Sequence, residues 1–256
     1  MKDEFYHGLD AEFYDELLDG EIDDLPFWRA LLKTNSGPSL EVGCGTGRVL
    51  LPLLQEGFAI DGMDRSAKMI DLLNEKAGKL GVEVDVRIQP MEALNMGKTY
   101  PLIFIPGFSL QMVASRELLK ESLHCFHAHL ESGGQLAISL FFPWEELEVE
   151  GSGDWHLRKK IKRPDGSRLE CHQSTQINTE DQSLVVKNRY TLLDKHRKRL
   201  GEELRDIRLL WFYPHEFHLL LEETGYHLLE TYADFEYEPM DEFTPYAVFL
   251  AEKAGT

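Results

Sequence analysis

The stretch "SLEVGCGTGRVLLPLLQEGFAIDGMD", residues 39–64, sets a short apolar run against three glycines in five residues, Gly43, Gly45 and Gly47. Glycine loses more backbone freedom on ordering than any other residue, so glycines at this density need a reason. A tight strand-to-helix turn, a close backbone approach to a ligand, or both would supply it. "SLEV" reads as a strand, the segment from Arg48 with "VLLPLL" as a helix, and "FAIDGMD" as a second strand. In open α/β sheets built this way, ligands bind outside the carboxyl ends of the strands, where the strand order reverses.

The spacing narrows the ligand. A dinucleotide site expects G-x-G-x-x-G with pyrophosphate at the helix N-terminus. Here the order is G-x-G-x-G, and no Walker lysine precedes a Ser or Thr. Asp64, seventeen positions after Gly47, ends the second strand, where a carboxylate accepts from both ribose hydroxyls and disfavours a 2′-phosphate. Asp64 alone does not separate NAD from other adenosyl ligands.

Working outward, residues 38–142 alternate β-rich runs ("VEVDVRI", "YPLIFIPG", "GQLAISLFF") with helical ones. In "RSAKMIDLLNEKAGKL" the apolar Met69, Ile70, Leu72, Leu73, Ala77 and Leu80 fall mainly along one side. The alternation predicts crossover units and a mostly parallel, seven-stranded sheet covered by helices on both faces. "ESGG", residues 131–134, reads as a helix stop before a strand. From about Asp154 to Phe212 the helix period gives way to antiparallel strands, with turn signals at "PDGS" and "NTEDQS". "PHEFHLLLEETGY" returns to helix, and two strands close the chain. The expected division is therefore an α/β domain over 1–150 and 213–256, with 1–37 as an N-terminal helical cap, and an antiparallel insertion over 151–212.

"LEVGCGTGRVLLPL" resembles motif I of the class I S-adenosylmethionine-dependent methyltransferases, which share a Rossmann-like α/β fold, and "IDGMDRSAKMIDLLNEK" resembles their second motif. The insertion is similar to that of small-molecule N-methyltransferases, those of amino sugars and of glycine among them. The resemblance implies S-adenosyl-L-methionine as cofactor and S-adenosyl-L-homocysteine as product. It implies that Glu41 orients the loop or meets the methionine ammonium, and that Gly43, Cys44, Gly45 and Gly47 form the loop facing methionine and ribose. Asp64 would take the ribose hydroxyls, Met63 and Arg65 would flank the adenine, and Met69 would pack beside it or in the core. Tyr14, in "AEFYDELLDG", would fold over the cofactor. The third motif departs from the family: Pro90 stands where relatives often carry an acid, leaving the Gln89 amide oxygen and the Met91 backbone N–H for the adenine edge. At "IPGF" the polar first residue of the amide- and base-methylating motif is absent. There Pro106 and Gly107 turn the strand and leave Phe108, Ser109 and Gln111 toward the sulfonium.

Charge and composition exclude several partners. The chain has 45 acids against 27 bases, a net charge of −18, which repels phosphate backbones and anionic membranes. No apolar run of about 18 residues is present, so no membrane span is expected. The acidic start lacks a signal-type apolar core, and three dispersed cysteines read as reduced thiols, so a cytoplasmic location and no zinc site are expected. His124, His127, His129, His215 and His218 read as surface, packing or helix-start residues rather than metal ligands or bases; no residue is assigned as catalytic. Tyr14, Trp28, Phe141, Phe142, Trp144, Trp155, Trp211 and Tyr213 are pocket candidates by position, and "LRKKIKR" reads as a solvated strand face. These readings converge on methyl transfer to a small-molecule acceptor, nitrogen favoured over oxygen, with the insertion on the acceptor side and a homodimer as a candidate assembly. An NAD-dependent oxidoreductase and a non-catalytic cofactor-binding protein are the alternatives.

Overall fold

The structure is a computed structural model and describes residues 6, 8–148, 153–241 and 244–255. In chain order come α1 (Leu9–Glu12), α2 (Tyr14–Leu18), α3 (Leu25–Thr34), β1 (Ser39–Val42), α4 (Leu50–Gln55), β2 (Ile60–Asp64), α5 (Ala67–Leu80), β3 (Asp85–Ile88), β4 (Tyr100–Ile105), α6 (Arg116–His129) and β5 (Leu130–Phe141). Then follow α7 (Trp144–Glu148), β6 (His156–Lys162), β7 (Arg168–Asn178), β8 (Ser183–Leu193), β9 (Arg199–Leu210), α8 (Pro214–Glu223), β10 (Tyr226–Ala233) and β11 (Tyr246–Lys253). The residues separate into two compact units, one of Asp23–Phe142 with Phe212–Thr256, the other of Tyr6–Ile22 with Pro143–Trp211.

The first unit is the expected seven-stranded sheet, in the order β10-β11-β5-β4-β1-β2-β3. β1 runs parallel to both β2 and β4, while β11 is antiparallel to β5 and β10. The chain winds outward from β1 in both directions, so the order reverses between β1 and β4. Burial on both faces explains the unbroken apolar runs: Leu40, Val42 and Leu102 to Ile105 are wholly buried. α5 starts where the Ser66 side chain accepts from Met69 N–H and stops at left-handed Gly81. It buries Met69, Ile70, Leu73 and Ala77 as the period predicts, but Leu80, at the last turn, is exposed. "ESGG" differs from expectation. α6 already ends at His129, and residues 131–134 form an irregularity inside β5, between its pairings at Leu130 and Gln135 with β4.

The second unit is an antiparallel meander, β6-β7-β8-β9. Its "PDGS" turn is closed by Asp165, whose carboxylate accepts from Ser167 N–H, and by Gly166 at positive φ. The division of the chain differs from expectation at the N-terminus, because residues 6–22, Tyr14 included, belong to this unit and not to the cofactor-type sheet. The cause is an apolar stripe at four-residue spacing: Leu9, Phe13 and Leu17 form one buried cluster with Leu169, Cys171 and Tyr190. Charge reinforces it. Arg163 lies over the Phe13 ring at 3.6 Å and reaches Glu12 at 2.7 Å, Arg158 pairs with Glu21, and the Lys159 ammonium donates to the Leu17 and Asp19 carbonyls. "LRKKIKR" is thus only partly a solvated face; three of its five cations, Arg158, Lys159 and Arg163, clamp an acidic helical segment.

Candidate cofactor site

The glycine loop leaves β1 and folds at once onto the end of β2. Gly43 and Cys44 N–H both donate to the Met63 carbonyl, at 2.8 and 3.0 Å. The three glycines have positive φ (73°, 53° and 83°), a region that side chains disfavour, but their surroundings differ. A Cβ on Gly43 would lie 2.6 Å from Ser109 Oγ, and one on Gly47 2.7 Å from Leu51 Cγ. A Cβ on Gly45 would meet nothing within 4 Å. The outer glycines therefore answer to packing, whereas the middle one presents bare backbone to open space.

Asp64 closes the loop from the other side. One carboxylate oxygen accepts from Gly45 N–H at 2.9 Å, the other from Ser66 N–H at 2.8 Å. Burial raises its pKa, and these two donors oppose the rise. Glu41, one residue before the end of β1, is buried, and its Oε2 has no hydrogen-bond partner. Burial pushes the Glu41 carboxyl well up; nearby Arg48 pulls it down, and Asp24 and Asp64 push it further up. Cys44 is buried beside both acids and its thiol is pushed up likewise, so it is an inert packing residue. Asp24 was not legible in the sequence. Wholly buried, it receives the Arg48 guanidinium on both oxygens and the Trp28 indole N–H at 2.8 Å, tying α3 to the residue after the loop.

The remaining predicted residues divide. Met63 and Met69 are buried at 1% exposure, Met63 serving the loop through its carbonyl, while Arg65 is half-buried beside Asp64. Gln89 is anchored by its N–H to the Asp64 carbonyl, and its side-chain oxygen accepts from Asn95 N–H at 3.1 Å. Met91 opens a 3₁₀ turn and is half-buried. At the end of β4, Phe108 has left-handed backbone (φ 61°) and stacks on Tyr246, ring centroids 5.3 Å apart. Gln111 does not face an open edge: its buried amide donates to the Phe141 carbonyl and accepts from Phe141 N–H. Trp28, Phe142 and Trp211 are core, whereas Phe235 and Tyr246, which join Phe108 and Phe141 in one aromatic group, were not singled out from the sequence. Among the described residues no group of three or more His, Cys, Asp or Glu could hold a metal. Nor is any helix among them long and apolar enough to cross a membrane.

The donor set fits S-adenosylmethionine. An orphaned buried carboxylate oxygen suits an ammonium, Gly45 offers open backbone, and Asp64 has acceptor capacity beyond its two bonds. Sheet order and loop together define a Rossmann-like fold of the S-adenosylmethionine-dependent methyltransferase class. Residues 40–134 match a family described as a methyltransferase domain. A methyltransferase of Geobacillus sp. (strain WCH70) is 28% identical over 97 residues, covering 38% of this chain and 39% of that protein. The chain thus spans about two fifths of the curated relative it matches. Among solved structures, an S-adenosylmethionine-dependent methyltransferase from Clostridium acetobutylicum superposes with a TM-score of 0.80 at 17% identity, covering 96% of this chain and 98% of that one. CalS10, an amino pentose methyltransferase from Micromonospora echinaspora with S-adenosylmethionine bound, gives 0.73 at 16% identity, covering 99% and 100%.

Proposed function

We propose that the protein binds S-adenosylmethionine and transfers its methyl group to a small-molecule acceptor, nitrogen favoured over oxygen. The observation that carries the reading is the loop itself: open backbone at Gly45, held by Asp64, beside the orphaned oxygen of Glu41. The bound cofactor supplies a sulfonium methyl, a strong electrophile, so alignment can provide much of the rate. Asp64 holds the ribose, Glu41 the ammonium, and Met91 N–H and Arg65 border the adenine. Phe108 and its ring partners exclude water at the end of β4. The amine arrives neutral, and no side chain is assigned as its base. The likeness of fold to a sugar N-methyltransferase, KedS8, supports a nitrogen acceptor. A homodimer paired along β9, an edge strand of its sheet, and a cytoplasmic location belong to the same reading.

The test is differential ligand stabilisation. S-adenosylhomocysteine should raise the melting temperature, as any ligand selective for the folded state does. NAD and NADP at equal concentration should not, and a larger shift with NAD would overturn the proposal. A turnover screen over amines, amino sugars and hydroxylated metabolites, following S-adenosylhomocysteine release, then decides between nitrogen and oxygen.

A further inference from the structure

The charge of this chain is unevenly distributed. Residues 156–211 hold 14 Lys and Arg against 8 Asp and Glu, in a chain that holds 27 against 45 overall. Several of these cations clamp the N-terminal helices, as described. Others lie on the opposite face of the meander. Leu169, Cys171 and Tyr190 face α1 and α2, so the alternate residues Arg168, His172 and Arg189 project to the other side. The register sets Lys162 opposite Arg168, His172 opposite Arg189, and Lys187 two residues from Arg189 on the same face.

On this face Lys162, Arg168, Lys187 and Arg189 have no carboxylate partner among the described residues, although Glu170 pairs with Lys160 and Asp206 lies opposite Lys187. Two buried nitrogens, Arg168 Nε and His172 Nδ1, have no hydrogen-bond partner. Arg189 lies over the ring of Trp155 at 4.8 Å, and Trp155 is 41% exposed. A guanidinium over an indole is attracted by the ring face and keeps N–H donors for an oxyanion. Cations without a carboxylate partner, a guanidinium over an indole, and unpartnered Arg168 and His172 nitrogens share one sheet face, a setting that suits an anion.

We propose that this face, centred on Arg189, Trp155, His172 and Lys187, binds an anionic group, phosphate or carboxylate, carried by the small-molecule acceptor. The proposal deepens the methyl-transfer reading and rests on it for the word acceptor. It explains why a strongly acidic protein keeps free cations in its second unit: the Arg189 guanidinium pairs bidentately with an oxyanion. The remaining net charge repels polyanions.

The experiment uses the full chain, labelled with nitrogen-15. Trp155 indole N–H, assigned by its loss in Trp155→Phe, is followed during titration with inorganic pyrophosphate and, separately, with succinate at constant ionic strength. A saturable shift is expected with at least one; pyrophosphate alone identifies phosphate, succinate alone carboxylate. Arg189→Met should raise the dissociation constant by about tenfold, the loss of one charge-assisted bond. Lys187→Met should act in the same direction, should the first variant fold poorly. S-adenosylhomocysteine affinity should stay within about threefold in both. No saturable shift with either anion, or shifts unchanged in both variants, overturns the site. So does loss of a dimer in Arg189→Met without anion binding by the wild type, since the face is then a subunit contact. Failure of S-adenosylhomocysteine to bind the wild type removes the methyl-transfer reading instead, independently of the anion result.

Discussion

Asp64 does two jobs with one carboxylate, and its substitution must be read accordingly. It receives the Gly45 and Ser66 N–H groups and, in the proposed complex, the ribose hydroxyls. Asp64→Ala should weaken S-adenosylhomocysteine by about tenfold to 150-fold, from ~1.5–3 kcal/mol per charged hydrogen bond. Unchanged affinity by calorimetry would refute the assignment. Glu41 makes a sharper prediction, with a sign. Its folded-state pKa is raised, so the native state holds the proton to higher pH than the unfolded chain does. Stability is then lost as pH rises from the ordinary carboxylate value, about 4.3, toward the folded one. Glu41→Gln removes that loss. The variant should melt above wild type at pH 7, with the difference vanishing near pH ~4, while S-adenosylhomocysteine binds more weakly. A variant that melts lower at pH 7 and binds normally would show Glu41 to be a structural residue only.

At the scale of elements, close approach explains a glycine that the strand pattern leaves unexplained. Gly62 lies inside β2, where glycine weakens a strand. A Cβ there would meet Val86 at 2.9 Å, Cys44 Sγ at 3.0 Å and Leu50 at 3.1 Å. β2 therefore packs at backbone distance against the loop and α4, and Gly62→Val should cost about 1–3 kcal/mol by overpacking. Chemical denaturation would measure it, and a neutral result would mean that the loop yields easily. In the second unit, Phe13 lies in the cluster beneath Arg163, at 1% exposure. Phe13→Ala should cost about 3–5 kcal/mol. Hydrogen exchange should quicken at Leu169, Cys171 and Tyr190, their partners in the cluster, and spare β1 and β4.

For the whole molecule, the proposal assigns the cofactor to the first unit and the acceptor to the second. Trp155 and Trp211, equal candidates by position, are unequal in the structure, with Trp211 at 2% exposure and Trp155 at 41%. Trp211→Ala would report on folding. Trp155→Ala is the informative change: turnover should fall while S-adenosylhomocysteine affinity moves less than about threefold, or ~0.7 kcal/mol. Unaltered turnover in folded protein would leave the second unit as scaffold or assembly surface.

The seven-stranded sheet, the glycine loop and the terminal carboxylate of β2 were legible in the residues, because each follows from a local rule. Apolar runs buried on both faces, a G-x-G-x-G turn and an acid at a strand end are written within some 25 consecutive positions. So was the meander, through its turn residues. Long-range choices were not legible. That Leu9, Phe13 and Leu17 pack with β7 and β8 rather than with the cofactor-type sheet depends on which apolar surface lies within reach, and an amphipathic stripe does not name its partner. The Asp24–Arg48–Trp28 network and the aromatic group of Phe108, Phe235 and Tyr246 join positions far apart in the chain. Only the sheet order and the loops it brings together create those distances. The same holds for the division of cations within residues 156–211 into clamps and free charges. Alternation along a strand sets which residues share a face, but tertiary packing decides which face is covered.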